Sequence, residues 1–314
     1  MTRTTIVVAA ALALALAVSA VIGIAPAHAQ NGTFTRSFVS SAGSDSNPCT
    51  ITQPCATFAH AYTAIGANGI VAALDPGKYG PLIITGPVTI NGNGWAAITG
   101  PSGGTAITIN ASSGNVTLTG LEIDGAGTSS SGIVFNSGGS LNVRDSLIQN
   151  FGSDGIAFGP NASTATELFV SNTLVSDNGF DGIGIQSTGS GTVTGVLDHV
   201  AMENNANSGL DVFVDGGQTV TVTVSDSVIA NNQAGIVEQS NAALAYVAVR
   251  RCNISNNGTG VDAITNSIIR LSQSQITGNV TGWMTNGGSV GSTFDNLIDD
   301  NTNGNGNPPT LAYK

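Results

Sequence analysis

The sequence predicts an all-β solenoid, a rod of stacked coils whose strands pair in parallel. Three observations carry that prediction: a phrase that recurs about every 25 residues, a composition of β-branched residues broken by Gly and Asn, and a scarcity of charge. Aligned on the glycine that precedes an apolar residue, the phrase returns at Gly132, Gly155, Gly182, Gly209, Gly235, Gly260 and Gly282, in steps of 23, 27, 27, 26, 25 and 22 residues. A period of this size marks a repeat in which each unit buries its apolar side only against its neighbours. The 314-residue chain holds 42 Gly and only 9% charged residues, which favours short strands and tight turns.

Within the phrase, Val170 to Asn178, Leu197 to Asn205, Val224 to Asn232, Val249 to Asn257 and Leu271 to Asn279 are each eight residues apart, while Val143 to Asn150 is one short. Three residues after the start stands Ser, Thr, Cys or Val, and five after it an apolar residue: Val175, Met202, Ile229, Ile254 or Ile276. Helical repeats do not fit, because Gly and Asn interrupt the pattern too often for two packed helices. At about 3.3 Å per residue, one unit makes a loop of roughly 75–90 Å, enough for three short strands, and successive coils stack about 4.8 Å apart. Val224, Ile229 and Ile236 are therefore expected inside. The asparagines at 178, 205, 232, 257 and 279 are expected to form a ladder, tolerating unusual backbone angles at the bend and passing amide hydrogen bonds from coil to coil. The repeat glycine is expected to supply the sharp turn. Asn231, next to the ladder, is expected to face solvent and contribute little.

Residues 1–29 read as a secretory signal peptide: Arg3, an apolar run from Ile6 to Ala25, and the small-residue site Ala27-His28-Ala29. Residues 30–314 are expected to form a single domain, secreted or periplasmic, with no stable membrane span once the leader is cleaved. The formal charge is −11, with 8 Lys+Arg against 19 Asp+Glu, which leaves no basic stripe for nucleic acid. Cys49 and Cys55, close together in an exported chain, are expected to be disulfide-bonded, and Cys252 to be a small buried residue. The segment 55–65 places Phe58, Ala61, Tyr62 and Ile65 at helical spacing, with His60 off the stripe. It reads as a short capping helix within an N-terminal cap over 36–69. A C-terminal cap is expected over 301–314, where turn formers and Pro308-Pro309 end strand addition.

The repeat, together with "LDPGKYGPLIITGPVTINGNG" (74–94), resembles the right-handed parallel β-helix proteins of the pectate lyase-like superfamily, in which an early coil often carries a Pro-Gly-x-Tyr turn like Pro76-Gly77-Lys78-Tyr79. The resemblance spans roughly residues 36–314 and implies a right-handed parallel β-helix of about nine coils. A leucine-rich repeat also uses an asparagine ladder, but Leu is scarce here and no repeat has a helical half. The superfamily's lyases use Arg or Lys as base beside calcium-binding acids, and its hydrolases use paired Asp with His and Arg-x-Lys motifs. Neither set is present: Asp299-Asp300 is the sole adjacent acidic pair, and Gly-His-Gly and Arg-x-Lys are absent. Uronan epimerases of this fold carry an Asp-Pro-His-Asp type motif, of which Asp198-His199 matches only a fragment. No catalytic residue carries over.

Column reading supplies the remaining candidates. Asp198, His199, Asp226, Arg250 and Arg251 fall on three successive coils. They read either as a surface ion-pair ladder or as a site where the arginines hold an acidic saccharide while His199 exchanges a proton beside Asp198 and Asp226. Asp154, Asp181 and Asp211 flank the glycine column; such carboxylates share a proton, bind a cation such as calcium, or point into water. Glu238 falls on an inward position, so it is either displaced by a bulge or buried and paired. Phe180 is the aromatic expected to stand exposed as a sugar platform, while Trp283 points inward. The function expected is an exported β-helix presenting a rigid surface for glycan or cell-surface binding without catalysis; the alternative is a lyase, epimerase or hydrolase of acidic polysaccharide.

Overall fold

The computed structural model describes residues 34–310; the expected signal peptide lies outside them. Nine parallel strands stack in chain order into one sheet: Leu82–Ile84, Thr105–Asn110, Ser131–Ser137, Ile156–Phe158, Ile183–Ser187, Ser208–Val214, Ala234–Ser240, Thr259–Ile264 and Thr281–Asn286. Each is one coil's contribution, so the solenoid has nine coils at this face. The other two faces merge in a 17-stranded sheet. Long strands such as Thr166–Ser176 and Val193–Glu203 run through both faces, whereas Val220–Ser225 and Val228–Ala230 are separated at the corner between them. Among the described residues no helix is long and apolar enough to cross a membrane.

The predicted columns are the observed ones. Val170, Leu197, Val224, Val249 and Leu271 pair in succession, as do Val175, Met202, Ile229, Ile254 and Ile276, and all are buried. Between them run Ser146, Thr173, Val200, Ser227, Cys252 and Ser274. All but Val200 bond the carbonyl two residues back through a hydroxyl or thiol, as Ser227 Oγ does to Ser225 O at 2.6 Å and Cys252 Sγ to Arg250 O at 3.3 Å. Cys252 is a free, buried thiol, and burial raises its pKa to about 11.

The ladder runs Asn178, Asn205, Asn232, Asn257, Asn279 and Asn301. From Asn205 onward, each amide oxygen accepts the backbone N–H and the side-chain NH₂ of the preceding asparagine. Asn232 Oδ1, for example, receives Asn205 N at 2.9 Å and Asn205 Nδ2 at 3.1 Å. Its own Nδ2 donates to Asn257 Oδ1 at 3.1 Å and back to Met202 O at 3.0 Å. From Asn205 to Asn301 both side-chain N–H groups donate and the oxygen accepts twice within the column, which is what burial requires. Asn305 closes the end by accepting Asn301 N at 2.9 Å.

The short first phrase is explained by register: Leu147 pairs with Leu174, so residue 151 stands under Asn178. Phe151, not Asn150, therefore occupies the column, and its N–H donates to Asn178 Oδ1 at 3.3 Å. The unusual backbone belongs to the residue before each position of the column: Asn150, Asp177, Asn204, Asn231, Asn256 and Asp300 have φ between 55° and 61°, and Gly278 has 70°. The repeat glycine, by contrast, has ordinary φ; its reason is close approach, since a Cβ at Gly260 would lie 2.3 Å from Gly282 O and one at Gly235 2.4 Å from Gly260 O.

At the N-terminal end, the helix α1 (Phe58–Thr63) buries Phe58 and Ala61, and Thr57 caps it by accepting His60 N at 3.1 Å. Tyr79 of the Pro-Gly-x-Tyr turn is fully buried, its ring centroid 5.1 Å from that of Phe58 and its hydroxyl donating to Asp75 Oδ1 at 2.6 Å. Cys49 and Cys55 form a disulfide. His60 is exposed.

Glu238 is the exception in the core. It lies in register between Val212 and Ala263 without a bulge, is 0% exposed, and neither carboxyl oxygen has a partner. It is buried but not paired, and burial raises its pKa to about 8.

Asn232→Ala removes two acceptor contacts and two donor contacts in a dry column and should cost about 1–3 kcal/mol in urea melts. Asn231 is exposed, yet its φ of 58° means that Asn231→Ala should cost about 1 kcal/mol through the left-handed backbone, more than exposure alone suggests, while Asn231→Gly stays near wild type. Glu238 binds a proton in the fold that the unfolded chain, at an ordinary 4.5, has released. Its contribution to stability is therefore lost as pH rises from about 4.5 to about 8. The stability advantage of Glu238→Leu over wild type should widen between pH 5 and pH 8; an advantage independent of pH would show that the carboxyl is not titrating in the core.

Candidate functional site

On the outer side of the nine-stranded sheet one column runs through Ala157, Gly184, Asp211, Val237 and Asp262, with Gly184 buried and the others half-buried. Asp154 and Asp181 sit just before the repeat glycines of adjacent coils, where the turn becomes strand, and both are buried. Asp154 Oδ1 accepts Asp181 N at 3.2 Å. Asp181 Oδ1 accepts Ser208 N at 2.8 Å and Asn207 Nδ2 at 2.9 Å. The other oxygen of Asp181 is buried with no partner. A Cβ at Gly184 would stand 3.7 Å from Asp154 Oδ2 and 3.8 Å from Asp181 Oδ2, so both free oxygens face the space that the missing side chain leaves. Asp211, half-buried and beside Gly184 in the column, borders it.

Burial, followed by mutual repulsion, dominates the electrostatics. Burial and the neighbouring Asp181 charge push Asp154 up to about 6, and burial with the charges of Asp181 and Asp154 pushes Asp211 up to about 7. Burial raises Asp181 as well, against its hydrogen bonds from Ser208 and Asn207. No cation relieves them: among the described residues every Lys and Arg (Arg36, Lys78, Arg144, Arg250, Arg251, Arg270) lies in strands or corners of the 17-stranded sheet. An all-oxygen set with one buried, unpartnered oxygen fits a hard divalent cation such as calcium. Sequence reasoning reached the three acids but missed Asn207 and Gly184. Gly184 carries a signal, since the same column holds Val134, Ala157, Asp211 and Val237 and Gly184 has no positive φ to demand glycine.

Phe180, between this cradle and Gly179, is 45% exposed. Beside it an open groove of about 390 Å³ follows Gly127, Gly152 and Gly179 along the left-handed residues Asn150, Asp177 and Asn204. Phe151 is buried and Phe213 half-buried, while Trp283 packs against the core and donates to Gly306 O at 3.0 Å.

The second candidate cluster lies at the opposite corner, where Asp145, Asn172, His199, Asp226, Arg251 and Gln273 all have φ between 47° and 54°. Four of the five expected residues meet. Asp198 Oδ2 bonds His199 Nδ1 at 2.9 Å, and Asp226 takes Arg251 bidentately through Nε at 2.6 Å and Nη2 at 2.5 Å. Arg250 turns instead to Gln273 Oε1 at 3.1 Å, because it ends the strand before the left-handed corner residue. Asp299 and Asp300 are exposed in the last coil.

Comparison with known proteins agrees with this architecture. The family described as "Right handed beta helix region" matches residues 105–303. The chain belongs to that family. Among solved structures, this β-helix is similar to pectate lyase Pel9A, with 15% identity, a TM-score of 0.62, and coverage of 83% of this chain and 75% of that one. It is also similar to the Azotobacter vinelandii mannuronan C-5 epimerase AlgE4 A-module, with 16% identity, a TM-score of 0.50, and coverage of 78% and 89%. At these identities the likeness is one of fold. No curated protein matches the chain in sequence.

The raised acids set a pH dependence for any cation in the cradle. Below about 6 to 7 the carboxyls of Asp154 and Asp211 carry protons that a cation must displace. Calcium affinity, followed calorimetrically, should therefore rise from pH 5 to pH 8, with protons released on binding below pH 7. Affinity flat across that range would remove these carboxyls from the site.

Proposed function

We propose that this right-handed β-helix is an exported protein that binds acidic polysaccharide on its nine-stranded sheet, through a divalent cation held by Asp154, Asp181 and Asp211, without turning it over. The observation that carries this reading is the unpartnered, buried Asp181 oxygen facing the space over Gly184 together with Asp154. A bound cation would satisfy that oxygen and offer its remaining coordination to a sugar carboxylate, which the acids alone would repel. Phe180 and the groove beside it give a pyranose ring an apolar face to lie on. The absence of turnover rests on the described residues of this sheet, which include no Lys, Arg or His to withdraw a proton from a uronate. The expected leader and the disulfide support export.

One observation favours a second reading. Asp211, with a pKa raised to about 7, is matched to general acid–base work near neutrality, as in a hydrolase, lyase or epimerase of acidic polysaccharide.

The test uses pectate and mannuronan with calcium or with chelator, following binding and chain cleavage. Binding that needs calcium, with intact polymer recovered, is the expected result, and cleavage or epimerised product moves the assignment to the second reading. Gly184→Ala places a methyl group at ordinary contact with both free oxygens, so it should leave the melting temperature unchanged and abolish calcium and polymer binding together. Polymer binding that survives both chelator and Gly184→Ala would overturn the cation-held reading.

A further inference from the structure

We propose a second metal site, at the corner where Asp198, His199 and Asp226 meet, that takes a borderline divalent cation of the zinc type through one imidazole and two carboxylates. The corner repeats the same left-handed backbone on every coil, so residues 199 and 226 stand side by side one strand spacing apart, and strand pairing places Asp198 next to Ser225. One ligand atom from each of Asp198, His199 and Asp226 lies within 4.8 Å of the others. A first-row ion with bonds of about 2.0–2.2 Å to nitrogen and oxygen holds its ligands closer together than that outer limit, so rotation of these side chains must draw the three onto one ion.

The side chains are already held by the kind of outer contacts that metal ligands have. His199 Nδ1 and Asp198 Oδ2 stand 2.9 Å apart, close to the separation of two ligands on one such ion, so the ion would take the place of the proton between them. Ser225 Oγ donates to Asp198 Oδ1 at 2.6 Å, and Arg251 grips Asp226 with two nitrogens. The cluster is open to solvent, His199 being 60% exposed and Asp226 25%, so an ion can enter without unfolding the coil.

The donor set separates this corner from the cradle on the nine-stranded sheet. The cradle offers only oxygen and suits a hard cation, whereas an imidazole selects zinc, nickel or copper over calcium. Excess calcium therefore should not compete here.

The experiment is a calorimetric titration of the purified protein with zinc chloride in excess calcium, on wild type, His199→Asn, Asp226→Asn and His60→Gln. Asparagine suits the left-handed corner, as Asn172 shows in the same column, so the first two variants keep their backbone; matched circular-dichroism melts verify it. Wild type and His60→Gln should bind one zinc per chain with equal affinity, and the two corner variants should bind at least tenfold more weakly. No saturable zinc binding by wild type, or binding that survives His199→Asn, overturns the site.

Discussion

Everything in this protein depends on parallel pairing of each coil with the next at about 4.8 Å. That spacing sets each residue directly over its equivalent, so a choice made at one position is repeated, for better or worse, along the rod. An apolar side chain becomes part of a continuous column. A polar one must find its partner in the coil above or below, because the interior has no water to supply it. Asparagine satisfies this constraint because its amide both donates and accepts, and one residue type can bond to copies of itself indefinitely. Glutamate does not, and Glu238, stacked between Val212 and Ala263, is left with no partner for either oxygen.

The same spacing explains what was legible in the sequence. Column membership depends only on counting, so the core columns from Val170 and from Val175, the ladder and the position of Cys252 could be read without coordinates. Side-chain direction within a coil could not be counted so easily. Period-two alternation fails at each left-handed residue, where the chain turns a corner in one step, and the sequence does not distinguish which of two adjacent asparagines makes that step. Asn231 and Asn232 differ in burial and backbone, yet both are simply Asn. The repeat glycine misled for a similar reason: the demand on it comes from a carbonyl oxygen of the next coil, which is distant in sequence.

The functional candidates divide along the same line. Asp154 and Asp181 announce themselves by preceding the repeat glycine, and Asp211 by standing two residues after it. Asn207, which shares Asp181 Oδ1 with Ser208 N, and Gly184, whose missing side chain opens the space between the acids, matter only through the neighbouring coil. Arg250 and Arg251 are adjacent in sequence but lie on either side of the corner. One reaches forward to Gln273 and the other back to Asp226, so a reading that grouped them by proximity joined two separate contacts.

Two clusters of aspartate on one rigid rod therefore have opposite properties, and the difference lies in what the stacking places beside them. On the nine-stranded sheet, the column through Gly184 offers neither a basic group nor full access to water, so burial and repulsion drive Asp154 and Asp211 toward their neutral forms. At the corner, the next coil supplies a hydroxyl to Asp198 and a guanidinium to Asp226, and both are held ionised. A cation offered to the first cluster must compete with protons and is rewarded by satisfying a buried oxygen. At the second it would meet carboxylates held in their charged form, sharing Asp226 with Arg251 and depending on His199 for selectivity. Because the coils hold these groups at fixed separation, neither cluster can relax toward the other's chemistry, and the rod presents two kinds of acidic surface on one repeat.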